Sequence, residues 1–293
     1  MLTVLQMCCD IVMRRRCSYV EGRNRMLMLQ TEDTQVAVGD TRNYTRFYHR
    51  EAIERVIQTM RTQLHEPLSL EDMADIACLS PYYFNRVFHQ VIGIPPGEFL
   101  ATLRLEAAKN LLLTTPLSVT DICFEVGYVG LGSFTTRFTQ LVGVPPRQLR
   151  QLVQQAELPS RISRGEDADG SLVVPVALHA LSGHIYTNRP FSGIIFMGLF
   201  PKPIPQARPV VGTLLYAPGP YRLGPVPDGF YYLMVAAFPL SENPQTYLLP
   251  DNVLVGVRGP LRIHHGQADA SVDVMLRPPR LTDPPIIVAL PYI

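Results

Sequence analysis

From Glu51 to Leu64 apolar side chains return at three- and four-residue steps, so that Ile53, Val56, Ile57, Met60 and Leu64 fall on one face. That is the spacing of a helix with one side buried. Pro67 closes it, and Ser69 followed by Asp72 opens the next, each side chain placed to accept the other's free backbone N–H. Gly97–Leu113 repeats the pattern, with Phe99, Leu103, Ala107 and Leu111 on one stripe, Leu100, Ala108 and Leu112 beside it, and Pro116 at its end. Residues 44–155 therefore read as helix after helix. Residues 1–43 show no sustained period and read as a flexible arm, or as sequence upstream of the true start with Met26 or Met28 as alternatives.

Around Glu157–Gly170 the apolar pattern lapses into charge, Gly and Pro, and residues 156–170 read as a linker. Beyond it the period changes. Residues 170–293 hold 19 of the 27 prolines and 11 of the 20 glycines. These punctuate short apolar runs at Leu172–Leu178, Gly193–Phe200, Val210–Tyr216, Tyr231–Phe238, Val253–Val257, Ser271–Leu276 and Ile286–Leu290. Short strands at such spacing predict a β-sandwich over residues 171–293. The fold class expected is α+β in two domains, an all-α N-terminal domain joined to an all-β C-terminal one.

The helical region repeats itself. Leu70, Met73, Ala74, Ala77 and Cys78 recur as Val119, Ile122, Cys123, Val126 and Gly127, and Phe84, Phe88, Val91, Gly93, Pro95 and Pro96 recur as Phe134, Phe138, Leu141, Gly143, Pro145 and Pro146. Each unit is a short helix, a tight turn and a longer helix, which is a helix-turn-helix. Gly127 supplies the second turn, whereas Cys78 requires the first to form without glycine. Ser80 is placed to cap the longer helix of the first unit, with Pro81 at its first position.

The longer helices have an outward face. Tyr82, Asn85, Arg86 and His89 form one polar stripe; its counterpart is Gly132, Thr135, Thr136 and Thr139, with Ser133 beside it. Arg grips guanine and Asn grips adenine through paired hydrogen bonds, so the first stripe suits base reading. One such stripe alone is equally a solvated surface; repetition of the whole unit decides for DNA. Arg137 lies one position off the second stripe, nearer to where phosphate would run.

Residues 50–150 resemble the DNA-binding region of the AraC/XylS family of bacterial regulators. Gly143, Pro146 and Arg150 match that family's closing Gly-x-x-Pro-x-x-aromatic-Arg pattern, with Leu149 where an aromatic is usual. The resemblance implies that Tyr82, Asn85 and Arg86 read bases in the first unit. It places Leu131, Gly132, Ser133 and Thr136 in the second, Thr136 standing where arginine is common. Ser80, Tyr83 and Arg137 complete the candidate contact set. Family members usually carry a cupin-like sensor ahead of this region, and here the order is reversed. Val226-Pro227-Asp228-Gly229-Phe230-Tyr231 is similar to a turn of prealbumin-like sandwiches. The hydrolase branch of that fold ends in Tyr-Arg-Gly-Ser, whereas residues 290–293 are Leu-Pro-Tyr-Ile, so that chemistry is not expected.

Charge qualifies the picture without reversing it. The net charge is +1, and residues 51–156 carry 8 Lys+Arg against 10 Asp+Glu. DNA affinity must come from placed arginines rather than from a global field. Cys8, Cys9 and Cys17 lack a fourth zinc ligand and read as free thiols, and the odd cysteine count fits a reducing cytoplasm. No apolar run is long enough for a membrane span. The apolar start precedes Arg14–Arg16, the reverse of a signal peptide. Adjacent His264 and His265 on a strand would point to opposite faces and could not share a metal. No catalytic constellation, cofactor or metal is expected. The partners expected are double-stranded promoter or operator DNA, a small-molecule effector and a second copy of the chain, with a DNA-tethered hydrolase as the alternative. Residues 44–155 alone are expected to fold and bind DNA.

Overall fold

A computed structural model describes residues 38–154, 180–249, 252–265, 267–268 and 270–290. Seven helices come first: α1 Val38–Thr62, α2 Leu70–Ala77, α3 Pro81–Ile92, α4 Pro96–Thr114, α5 Val119–Glu125, α6 Leu131–Val142 and α7 Pro146–Gln154. The first helix begins at Val38, inside the stretch expected to be an arm; residues 1–37, the three early cysteines and the 156–170 linker lie outside the described residues. The two short helices start alike. Ser69 and Ser118 each accept from the N–H three residues on, and Asp72 and Asp121 return the bond to the cap backbone.

Each longer helix stops alike too. Gly93 (φ +90°) and Gly143 (φ +97°) end α3 and α6 in the left-handed region that only glycine enters freely, and the prolines that follow start α4 and α7. The helices close two cores. Ile53, Val56, Ile57 and Met60 meet Phe84, Phe88 and Phe99 in one, and Leu105, Ala108 and Leu112 meet Phe134, Phe138 and Leu149 in the other.

Eight strands follow: β1 Leu181–Thr187, β2 Gly193–Phe200, β3 Val211–Leu215, β4 Pro220–Leu223, β5 Gly229–Pro239, β6 Leu254–His264, β7 Gln267–Ala268 and β8 Val274–Leu276. They form a three-stranded sheet, β4-β1-β8, and a five-stranded one, β3-β2-β5-β6-β7. Leu181, Ile185, Tyr221, Leu223 and Val274 of the smaller sheet share a core with Ile195, Met197, Leu199, Leu233 and Val235 of the larger. All eight residues of β2 are buried. Its outer side carries Ile194, Phe196 and Phe200, which pack under Tyr247, Val253 and Val288. Burial on both faces is why this strand reads as a continuous apolar run rather than an alternation.

Two expectations about the strands need correcting. The first concerns β1 and β4, which the apolar runs missed: Gly183 and His184 break the alternation of β1, and β4 is only four residues long. The second concerns Ile286–Leu290, which forms no strand. The segment is apolar throughout, yet it runs between the helices and the large sheet. Ile287 and Ala289 enter the α4–α7 core, while Ile286, Val288 and Leu290 face the sheet. Its backbone is engaged by helices: Ala289 N–H donates to Val142 O (2.9 Å), and Lys109 Nζ donates to Ile286 O (2.7 Å). The α1–α4 core likewise takes in Ile204 and Leu281. Residues outside 44–155 thus contribute side chains to both helical cores. The run Leu172–Leu178 lies outside the described residues.

Candidate nucleic-acid interface

The α3 helix is held on the α1–α4 core by Phe84, Val87, Phe88 and Ile92, and this fixes which residues face out. Tyr82, Asn85, Arg86 and His89 are all exposed, Tyr82 to 82%. Tyr83 is half-buried instead. Its Oη lies 3.1 Å from His49 Nε2 in a hydrogen bond, and the Arg86 guanidinium sits over its ring, 4.9 Å from the centroid. Burial, and then the Arg86 charge, push the His49 imidazole below its ordinary pKa. Tyr83 is therefore turned toward α1 with Arg86 resting over its ring, a placement the sequence stripe could not show. Ser80 stands at the N-cap in extended backbone, but its side chain makes no capping hydrogen bond. The expected Ser80 cap is thus made by position and by Pro81 alone. Its exposed hydroxyl lies beside the α3 face.

In α6 the face is differently dressed. Phe134, Phe138 and Val142 are buried, and Leu131, Gly132, Ser133, Thr136, Arg137 and Gln140 are exposed. Thr135 and Thr139 are half-buried, and the Thr139 hydroxyl donates to Thr135 O (2.8 Å). Ser133 Oγ donates to Gly130 O (2.8 Å), leaving its lone pairs outward. A Cβ added at Gly132 would meet nothing within 4 Å.

The turns differ as the sequence requires. Cys78 takes a left-handed conformation (φ 57°, ψ 41°) and its N–H bonds to Ala74 O and Asp75 O. Gly127 does the same work at φ +83°, where an added Cβ would lie 2.6 Å from Leu64 O. Several basic residues turn out to hold the fold. Arg104 donates to Leu64 O and Glu66 O, fixing the approach to α2, and Arg150 donates to Leu112 O and Leu117 O, fixing α7 on the end of α4. Arg86, Arg137 and Arg147 are left exposed on the α3, α6 and α7 side chains' outer faces.

Elsewhere, His264 and His265 come together, against the expectation that they diverge. The strand ends at His264, and His265 turns left-handed (φ +50°), which puts the rings 4.0 Å apart beside Asp228. All three are exposed. Among the described residues no helix is long and apolar enough to cross a membrane.

Residues 73–152 match a family model described as a helix-turn-helix domain. The HTH-type transcriptional activator AarP of Providencia stuartii is 31% identical over 117 residues, which are 40% of this chain and 85% of that one. The chain belongs to the AraC family of helix-turn-helix regulators. Another relative, the bifunctional transcriptional activator/DNA repair enzyme AdaA of Bacillus subtilis, is 32% identical over 107 residues, 36% of this chain and 51% of that one. The chain spans about half or less of the first curated relatives it matches: 51%, 37% and 39% of their lengths. Among solved structures, an AraC-type regulator from Chromobacterium violaceum aligns at 26% identity over 35% of this chain and 91% of that one, with a TM-score of 0.34.

Proposed function

We propose that the protein is a cytoplasmic transcription regulator that reads promoter or operator DNA through tandem helix-turn-helix units, with α3 and α6 in successive major grooves about 10–10.5 base pairs apart. The observation that carries this reading is exposure. With the β region packed against both helical cores, the outward residues of α3 and α6 stay open to solvent. Tyr82, Asn85 and Arg86 read base edges, with Ser80 at the helix start and Tyr83 behind Arg86. Gly132, Ser133 and Thr136 give the second unit a weaker reader, and Arg137 meets phosphate. The two packed sheets act as a β-sandwich sensor fixed to the reading helices. Their contacts with both units favour signalling over a purely dimerising role, and the molar mass of the full chain tests the latter.

The test starts from duplexes selected on the full-length protein. Arg86→Ala should weaken the selected site by about 1–3 kcal/mol and relax its sequence there. Thr136→Ala should cost much less, because a hydroxyl discriminates bases poorly. Arg137→Ala should weaken selected and scrambled duplexes alike and lower the salt slope by about one contact. Equal loss on both duplexes for Arg86→Ala, with discrimination abolished by Thr136→Ala, would invert the assignment. Footprinting that protects a single groove per protomer would remove the tandem arrangement.

A further inference from the structure

The outer face of the five-stranded sheet is not completely covered. Between it and the helices lies a cavity of about 440 Å³, within the range of small-molecule sites. Its floor is Phe196, Phe200, Leu214, Met234, Ala236 and Val255, and Arg61 of α1 and Glu106 of α4 reach it from the helical side. Room is made by Gly198 and Gly212, which pair across β2 and β3 and present no side chain of their own under the Pro209 ring and the edge of Phe200.

The polar groups around this apolar floor are unevenly satisfied. Asp283 is already gripped by Arg277 through two bonds (2.6 and 2.8 Å) and by the Arg280 N–H (2.7 Å). Glu106 is held by Arg61 at 3.4 Å. The Arg61 Nε atom is buried without a hydrogen-bond partner and closed off from the cavity, whereas Arg208, at the exposed rim, has no carboxylate or carbonyl partner among the described residues. The cationic group left open at the mouth of this apolar cavity is therefore the Arg208 guanidinium. An anionic acceptor on an otherwise apolar molecule matches both properties.

The wall is also connected. Residues 201–210 contribute Pro205, Arg208 and Pro209 to the cavity. The same stretch touches the C-terminal ends of both reading helices. Pro203 sits against Gly93 at the end of α3, close enough that an added Cβ there would be 2.6 Å from its Cγ, and the Ala207 N–H donates to Leu141 O near the end of α6 (2.7 Å). Lys202 and Gln206 grip Glu98 at the start of α4 (2.8 and 3.0 Å). One short segment thus borders the cavity and holds both reading units.

We infer that this cavity binds a small apolar carboxylate, and that residues 201–210 carry its occupancy to α3 and α6. The second half rests on the DNA-reading proposal above; the first does not. The test uses the full chain with benzoate, 2-naphthoate and octanoate, each against its uncharged amide, followed by calorimetry and by anisotropy of a selected duplex. At least one carboxylate should bind tenfold or more tightly than its amide, and saturating amounts should change duplex affinity at least fivefold, the usual scale of coupling between sites. Arg208→Gln, at an exposed position, should erase the preference for the carboxylate. Leu214→Trp should fill the floor and abolish binding. Pro203→Ala should leave binding intact and shrink the effect on DNA. If no carboxylate binds, or if acid and amide bind equally, the ligand class is overturned. Unchanged binding in both Arg208→Gln and Leu214→Trp overturns the site, whichever of the two folds better. Carboxylate binding that leaves duplex affinity unmoved overturns the transmission. Failure of the unliganded and liganded chain to bind any duplex counts against DNA reading instead, and calorimetry still decides the cavity.

Discussion

Lys109 is 1% exposed in the middle of α4, and its ammonium donates to Ile286 O, so it joins the helices to the segment beneath the sheet. Burial lowers its pKa from 10.5 to about 8, with the Glu106 charge opposing the fall. At about 1.4 kcal/mol per pKa unit, that displacement is a penalty of roughly 3 kcal/mol on the charged form. The sign follows from proton binding. Between pH 8 and 10.5 the unfolded chain keeps the lysine proton while the native state gives it up, so stability rises with pH in this window. The buried Cys123 thiol and Tyr128 phenol have raised pKa values and act oppositely once their unfolded forms ionise, so wild type must be compared with Lys109→Met. Urea unfolding at several pH values should show wild type gaining about 1.5 kcal/mol on the variant between pH 8 and 9.5. At neutral pH the two should lie close, because the variant loses the penalty but leaves the Ile286 carbonyl unpaired, at about 1–3 kcal/mol. Parallel stability curves would refute the reasoning and mean that Lys109 keeps its charge solvated.

Glycine substitutions should separate folding from reading. Gly127→Ala places a side chain at φ +83° and against Leu64 O, and should destabilise by more than the roughly 1–2 kcal/mol of the left-handed backbone alone, measured by denaturation. Gly132→Ala meets open space inside a helix and should stabilise by about 0.5–1 kcal/mol while weakening duplex binding; unchanged binding would take Gly132 off the interface. Ile287→Ala, at a fully buried position, should cost about 2–5 kcal/mol, and hydrogen exchange should quicken in α6 and α7 as well as in the sheets. Loss confined to the sheets would show that the helical core is closed without it.

The helical units were legible because their signals are local. Ser69–Asp72, Ser118–Asp121, Gly93–Pro96 and Gly143–Pro146 mark starts and stops within a few residues, and the three- and four-residue period assigns faces between them. The same arithmetic exposed Tyr82, Asn85 and Arg86. It could not tell that Tyr83 is turned inward to His49, since that pairing joins positions 34 apart in the chain. Ile286–Leu290 was misread for a physical reason. A short apolar run announces a segment buried between two surfaces, but not whether its N–H groups meet a strand or the end of a helix. His264 and His265 were misread because a left-handed residue at a strand end is invisible to a two-residue period. The cavity gave no signal because its walls come from α1, α4, four strands and the 201–210 and 279–290 stretches.

The order of the chain sets the order in which this molecule can be finished. Residues 105–149 leave the ribosome well before Ile287 and Ala289, by about ten to thirty seconds at ordinary synthesis rates. Until those residues arrive, Phe134, Phe138 and Val142 have an open flank, and α6 lacks the N–H that Ala289 supplies to the Val142 carbonyl. A nascent chain therefore completes the packing around α6 only once residues 287–289 have been made and have folded back.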